Sequence, residues 1–363
     1  MKPLVSICVP NLNTFPFLRE RFDSIFQQTF DDWELFVYDS LSDDGSWEFI
    51  QEIARTDKRM RIAQGPREGV YPAWNECLRQ TNGEYVYIAT SDDSMAPDFL
   101  EKMVGALEQH RQCELAHSNL VIVDENGERL TRLTWPECTV FADGAPEFLK
   151  VPHVRHAPYN GLLQLTGKHA ILSITQVLLR RSIFSKVGDF PSRWGSISDF
   201  NWEMKAGLVA HMVHVPDTSA TWRIHSRQAT ASLEYGTVAY FKMVDDMIHD
   251  AVSTCEPYLP PAVRHAARNY VERARELGAY YRTLRELRDN TLKRRLFQFG
   301  RMVRTGPVRR EILGRMLGVP KWTEHATTEV REWLESLGLR PLEHCTLSSN
   351  SHGNTTRMHH PNP

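Results

Sequence analysis

The chain has 363 residues, with 43 Lys and Arg against 45 Asp and Glu, and a formal net charge of −2. That length holds one large domain with additions, or two domains. The near-neutral balance gives no basic surplus for a polyanion, so nucleic acid is not an expected partner. No apolar run approaches the roughly 18–20 residues of a membrane span. The six cysteines are scattered without paired spacing, which disfavours a zinc site or a disulfide framework and suits a reducing cytoplasm.

The first predicted element is the β-rich run Leu4–Val9, followed by Pro10-Asn11-Leu12-Asn13. Asn11 and Asn13 interrupt the apolar stretch, so the N-terminus reads as a strand rather than a signal peptide. Phe17, Leu18, Phe22, Ile25 and Phe26 recur at helical spacing. Leu35–Tyr38 reads as a strand running into the polar loop Asp39–Ser46. Trp47–Ala54 is a predicted helix, Arg61–Ala63 a short strand, Tyr71–Arg79 a short helix and Tyr85–Ala89 a strand. Cys8 and Cys77 sit on apolar elements and are expected to pack rather than react. Strands alternating with helices imply a parallel sheet covered on both faces. Polar loops follow strand after strand on one edge, where open α/β sheets bind ligands.

Ser91-Asp92-Asp93 lies just past the last of these strands. Adjacent carboxylates repel unless a cation or several donors stand between them. Mg²⁺ takes one or two carboxylates plus substrate phosphates, so the pair points to a metal bridging protein and diphosphate. Read more simply, the same residues cap a helix beginning near Pro97.

Further along, Glu114–Asn119 and Val121–Val123 read as strands and Asp124-Glu125-Asn126-Gly127 as a turn. From Leu133 to His169 the pattern weakens, and the stretch is expected to form functional loops or a lid. His153 and His156 there are expected to be surface loop residues. Gln176–Arg181 reads as a strand, and Ser182–Gly188 as a short helix closed by Gly. Ser198 or Asp199 can cap a helix running through Leu208, with Glu203 inside it. Thr221–Ser226 is a predicted strand ending in Arg223, His225 and, just beyond, Arg227. From Val238 to about Leu339 the periodicity is helical. Residues 292–310 hold seven Lys and Arg and no acid, interleaved with apolar side chains. Such a helix can lie on an anionic membrane surface, present a solvated face or meet a partner subunit. Ser348–Pro363 is polar and expected to be a disordered tail. The predicted organisation is a catalytic domain over 1–235, a helical extension over 236–345 and a tail over 346–363.

Taken together these segments resemble an inverting family 2 glycosyltransferase with the GT-A nucleotide-sugar fold. The resemblance rests on Val5–Asn13, the loop Asp39–Ser46, Gly69-Val70-Tyr71-Pro72-Ala73-Trp74-Asn75, and Gly83-Glu84-Tyr85 leading into Asp92-Asp93. It covers residues 3–125 well and 170–230 more loosely. It implies a mainly parallel α/β sheet flanked by helices, with the helical extension added. It also implies a nucleotide-sugar site with Pro10 and Asn11 bordering the nucleotide, Asp39 on the base and Asp92 near the ribose. Asn13, Gly69, Asn75 and Ser91 belong to the same implied site. Asp93 would be the principal ligand of a Mn²⁺ or Mg²⁺ cofactor, with the Arg-x-His pair Arg223 and His225 meeting the diphosphate and metal. An acid following a Val-Gly-x-Phe segment, here Val187-Gly188-Asp189-Phe190, would be the general base. Asp199 fits, with Asp189 and Glu203 as rivals.

The chain departs from the family pattern at Ser40 and Leu41, where Asp-Gly is usual. Trp74 replaces a common Arg, and Pro72 replaces the Asp of a subgroup. The expected activity is metal-dependent transfer of a sugar from a nucleotide-diphosphate donor to a glycan, lipid-linked or other hydroxyl acceptor in cell-surface polysaccharide synthesis. The expected location is the cytoplasm, with 292–310 as a candidate peripheral contact on the inner membrane face and a second copy of the chain as a candidate partner. A nucleotidyltransferase would need a glycine-rich, cationic phosphate loop, which Pro10-Asn11-Leu12-Asn13 is not. A non-catalytic sugar-nucleotide module would keep the fold without the base.

Overall fold

A computed structural model describes residues 3–131, 146–165, 168–230, 237–265, 267–268 and 326–348. The basic stretch 292–310 and the tail from 349 lie outside the described residues. Val5–Asn11 forms β1, buried along its whole length. Its side chains alternate: Val5, Ile7 and Val9 enter one core and Cys8 the other. A strand buried on both faces belongs inside a helix-covered sheet.

The first half follows the sequence reading closely. After β1 come α1 (Phe15–Phe26), β2 (Trp33–Asp39), α2 (Ser46–Ala54), β3 (Met60–Gln64), α3 (Val70–Gln80), β4 (Tyr85–Ile88) and α4 (Phe99–Gln109). β1 pairs in parallel with β2 on one side and β4 on the other, and β3 extends beyond β2. The chain therefore moves outward through β2 and β3, then returns across β1 to β4. That reversal places a topological switch point between β1 and β4, where α/β sheets hold ligands beyond the carboxyl ends of their strands.

The second half contains β5 (Cys113–Val123), β6 (His153–Arg155), α5 (Tyr159–Leu165), β7 (Val177–Arg180), α6 (Phe184–Val187), α7 (Ser198–Val209) and β8 (His211–Arg223). α8 (Val238–Cys255), α9 (Ala326–Ser336) and β9 (Leu342–His344) follow. The nine strands form one sheet in the order β3-β2-β1-β4-β7-β5-β8-β6-β9. β7 runs antiparallel between β4 and β5, so the sheet is mixed at its centre. One core, with α1 and α4, lies on one face; the other, with Tyr71, Trp74, Cys77, Trp202 and Ala206 of α3 and α7, lies on the opposite face. α5 and α7 touch through glycine: a Cβ on Gly207 would lie 2.6 Å from the Gly161 nitrogen.

Several expectations change. Glu114–Asn119 and Val121–Val123 are one strand, whose register against β8 shifts between Ser118 and Asn119. β8 absorbs that shift by carrying Pro216-Asp217-Thr218 as unmatched residues, and the proline hides its first half from a sequence reading. His153 is not a surface loop residue. It is buried in β6, its ring 4.9 Å from His214 and 6.5 Å from His117. Burial keeps these imidazoles neutral, lowering His153 to about 2 and His214 to about 4. His156 instead bonds Glu343 of β9 at 3.0 Å. β9 itself is a strand of the main sheet within the stretch read as a helical extension, paired antiparallel with β6. Its short segment leaves too little periodicity to separate it from the helical signal before it.

Candidate active site

The end of β1 and the loop after β2 form one bonded unit. Asp39 is fully buried. Its carboxylate accepts Asn11 Nδ2 at 2.6 Å, Ser42 Oγ at 2.6 Å, Ser42 N at 3.0 Å and Gln64 Nε2 at 2.9 Å. Asn13 exchanges two bonds with Asp43, its Nδ2 donating at 2.9 Å and its Oδ1 accepting at 3.0 Å. Asn13 and Leu41 both sit in the left-handed region, at φ 55° and 53°. For leucine that conformation costs about 1–3 kcal/mol and persists only where neighbours over-determine it. Arg67 supplies such a constraint, donating Nη2 to Leu41 O at 2.6 Å and to Asp43 Oδ2 at 2.8 Å. Pro10 stands beside Tyr38 in the ladder. Gly69 opens α3 at φ 110°, a conformation suited to glycine.

The acid loop after β4 separates its two carboxylates. Asp93 is 2 % exposed. One of its oxygens accepts the Arg223 backbone N–H at 2.7 Å, and the other accepts the Thr90 hydroxyl. Burial and the charge of Asp92 raise its pKa to about 8, with Arg21, Thr90 and the Arg223 N–H opposing. Asp92 is more open, its side chain 22 % exposed. Its Oδ2 lies 3.0 Å from His225 Nε2. The His225 ring packs 4.8 Å from Phe17, and its Nδ1 accepts the Arg227 N–H at 3.2 Å. With Nδ1 accepting, the proton sits on Nε2 and points at Asp92. Ser91 is buried in the same turn.

Asp92 is therefore the more exposed carboxylate of the pair. An oxygen donor of this kind fits Mg²⁺ or Mn²⁺ completed by diphosphate oxygens. His225 would bind a cation through Nε2 only with its proton moved to Nδ1, against Arg227 N–H. As arranged, it orients Asp92. Among the described residues no group of three or more His, Cys, Asp or Glu side chains is placed to hold a metal.

Two residues placed by sequence in the donor site bond other groups of the protein in this structure. The Arg223 side chain is 1 % exposed. It donates to Asp92 O at 2.8 Å, Asp124 O at 3.2 Å and Glu125 O at 3.3 Å, and pairs with Glu20. It ties the acid loop to the turn after β5 and to α1. The exposed cation beside His225 is Arg227, whose guanidinium lies 5.9 Å from the Phe17 ring. Asn75 uses both ends of its amide on Phe190, donating to its carbonyl at 2.8 Å and accepting its N–H at 3.0 Å. It pins the Val187–Phe190 segment to α3. Trp74 joins an aromatic cluster, its ring 5.0 Å from both Tyr71 and Phe190.

Asp199 lies in the first turn of α7. Its Oδ1 accepts the Tyr71 hydroxyl at 2.8 Å and the Phe200 N–H at 3.1 Å. Tyr71 belongs to the N-terminal turn of α3, at the sheet edge where the strands end. Asp199 is thus held on the same side of the sheet as the acid loop. Burial raises its pKa to about 6 against the pull of the Tyr71 and Phe200 hydrogen bonds. Glu203, one turn on, is 5 % exposed and accepts Gln164 Nε2 at 3.2 Å. Burial and Asp199 push its carboxyl well above the usual range. Asp189 is exposed. Tyr71, which bonds Asp199, and Arg67, which braces the loop at Leu41 and Asp43, are not singled out by sequence; their positions just either side of Gly69 are the available signal.

A profile described as "Glycosyl transferase family 2" matches residues 6–188. The chain belongs to this family. This family 2 glycosyltransferase is 30% identical over 148 residues to "Putative glycosyltransferase EpsE" of Bacillus subtilis, covering 40% of this chain and 53% of EpsE. It is 27% identical over 144 residues to "Putative teichuronic acid biosynthesis glycosyltransferase TuaG" of the same organism, covering 39% and 57%. It spans about half the length of the curated relatives it matches. By structure, the glycosyltransferase resembles an S. aureus TarS fragment crystallised with UDP-GlcNAc, at TM-score 0.58, 15% identity and 93% coverage of each chain. It also resembles a Pyrobaculum calidifontis mannosyltransferase in complex with GDP-Man and Mn²⁺, at TM-score 0.50 and 18% identity, covering 92% of this chain and 88% of that one. These likenesses show a shared GT-A fold.

Proposed function

We propose that this glycosyltransferase is metal-dependent and inverting, moving a sugar from a nucleotide-diphosphate donor to a hydroxyl of a glycan or lipid-linked acceptor in cell-surface polysaccharide synthesis. The observation that carries the reading is the partly exposed Asp92 carboxylate, just beyond β4 beside the β1/β4 switch point and bonded by His225, next to an Asp93 already bonded within the protein. TuaG, whose name places it in teichuronic acid biosynthesis, supports the pathway class. The mannosyltransferase complex with GDP-Man and Mn²⁺ supports the donor class and the cation.

Asp92 would hold Mn²⁺ or Mg²⁺ together with the diphosphate oxygens, and the cation would neutralise charge on the departing diphosphate. Asn11, Asp39, Ser42 and Gln64 form a fixed wall at the strand ends for the nucleoside. Arg227 lies exposed where a phosphate oxygen can reach it. Asp199, ionised above about pH 6, takes the proton from the acceptor hydroxyl. That oxygen forms a bond to the anomeric carbon as the bond from carbon to the diphosphate oxygen breaks. The electron pair leaves with the nucleoside diphosphate, and a single displacement inverts the carbon. The Tyr71 hydroxyl and the Phe200 N–H hold the Asp199 carboxylate in place, whereas Glu203 bonds Gln164 and Asp189 lies exposed, which supports Asp199 as the base.

A panel of UDP-, GDP- and dTDP-sugars, scored by thermal shift and product formation with Mn²⁺, Mg²⁺ or EDTA, tests the reading. The wild type should bind one donor more tightly with cation, and Asp92→Asn should lose that increment while keeping the fold. Cation-independent binding and turnover in the wild type would refute metal dependence. Binding without turnover on any acceptor would point to a non-catalytic module.

A further inference from the structure

We infer that Arg21 is a positioning residue for the acid loop: from α1 it holds the Thr90 carbonyl and so fixes how Asp92 presents its carboxylate. The inference rests on the cation reading above. Arg21 is fully buried, on the same helix as the buried side chains Leu18, Phe22 and Ile25. A buried guanidinium is costly unless its donors are met. Here they are met in part. Nε donates to Thr90 O at 2.8 Å and Nη2 to Thr175 Oγ1 at 3.3 Å, while Nη1 is buried without a hydrogen-bond partner. The guanidinium carbon lies 6.0 Å from the Tyr87 ring, and the Tyr87 hydroxyl bonds Thr175 in turn. A methionine would fill such a site without desolvating a charge.

What distinguishes Arg21 is the atom it grips. Thr90 O also accepts the Asp93 N–H at 3.4 Å, and the Thr90 hydroxyl donates to the Asp93 carboxylate. Thr90 is thus the pivot of the turn that buries Asp93 and leaves Asp92 open. Arg21 anchors that pivot to α1 and, through Thr175, to the segment preceding β7. It brings a positive charge to a loop carrying two acids. Arg223 anchors the same turn from the opposite side through Asp92 O and the Asp93 carboxylate. Arg21 is fully buried and acts through Thr90.

The test compares wild type, Arg21→Met, Arg21→Lys and Asp92→Asn. Mn²⁺ binding is read from loss of the free Mn²⁺ electron paramagnetic resonance signal, with UDP and separately with GDP present. Nucleotide affinity in EDTA is measured alongside, and circular dichroism reports folding. Loss of a partner behind a metal ligand typically weakens metal affinity about 10- to 100-fold. Arg21→Met should show a loss of that size with unchanged nucleotide affinity in EDTA. Arg21→Lys keeps the charge but cannot span both Thr90 O and Thr175 Oγ1, so it should fall between Met and wild type. A folded Arg21→Met or Arg21→Lys with wild-type Mn²⁺ affinity overturns the inference. So does an equal loss of affinity in EDTA, which marks general loosening. Failure of the wild type itself to bind Mn²⁺ with either nucleotide overturns the cation reading, an outcome distinct from an unaffected Arg21 variant.

Discussion

Replacing Tyr71 by Phe removes one hydroxyl and leaves the ring packed against Trp74. The lost group is a donor to Asp199 Oδ1 at 2.8 Å. A hydrogen bond to a charged acceptor contributes about 1.5–3 kcal/mol, and about 1.4 kcal/mol corresponds to one pKa unit. The bond favours the ionised carboxylate, so its loss raises the pKa by about 1–2 units. Burial already holds Asp199 at about 6. In Tyr71→Phe the acid limb of the rate profile should therefore move to about pH 7–8. A base works only when ionised, so the rate at pH 7 should drop about 2- to 10-fold and recover by about pH 9. The assay is kcat/KM against pH for wild type and variant with saturating cation and donor. An unmoved acid limb in a folded variant would refute both the Tyr71 coupling and Asp199 as the titrating base.

Other substitutions separate catalysis from architecture. Asp199→Asn keeps the shape and the Tyr71 contact but accepts no proton; transfer should slow about 10²- to 10⁴-fold, with calorimetry showing unchanged nucleotide affinity. Asn75→Ala strands the Phe190 N–H and carbonyl and should cost about 1–3 kcal/mol in urea unfolding; a selective loss of nucleotide binding at full stability would instead return Asn75 to the donor site. Gly207→Ala forces a methyl toward the Gly161 backbone at 2.6 Å. Overpacking of this kind typically costs about 1–3 kcal/mol, and an unchanged melting temperature would mean that α5 and α7 separate freely.

The parallel half of the sheet was legible because its strands are apolar runs with helices of clear period between them. The acid loop stood out because two carboxylates follow such a run directly. What stayed hidden depends on partners rather than residue types. Asn75 and Arg223 are side chains that bind nucleotides well, yet they bond backbone equally well, and only the fold shows that Phe190 and the Asp92, Asp124 and Glu125 carbonyls occupy them. The different settings of Asp92 and Asp93 were hidden for the same reason. Adjacent residues point in different directions, and the Arg223 N–H that claims Asp93 arrives from the distant end of β8. β6 was unreadable because it is short and lies between Pro152 and Pro158, and His153 with the nearby His156 imitates a surface loop.

The strand that completes the sheet is also the last described strand to leave the ribosome. β6 is paired with β8 on one flank, and its other flank waits for β9, which pairs His153 with His344 and Arg155 with Leu342. Until residue 344 has been made, that flank offers unpaired backbone groups to any neighbouring nascent chain, a recognised route to aggregation. Pairings so distant in sequence also form slowly. Maturation of the sheet therefore waits for synthesis through residue 344. A version trimmed after residue 235 for easier handling would leave this flank bare for good.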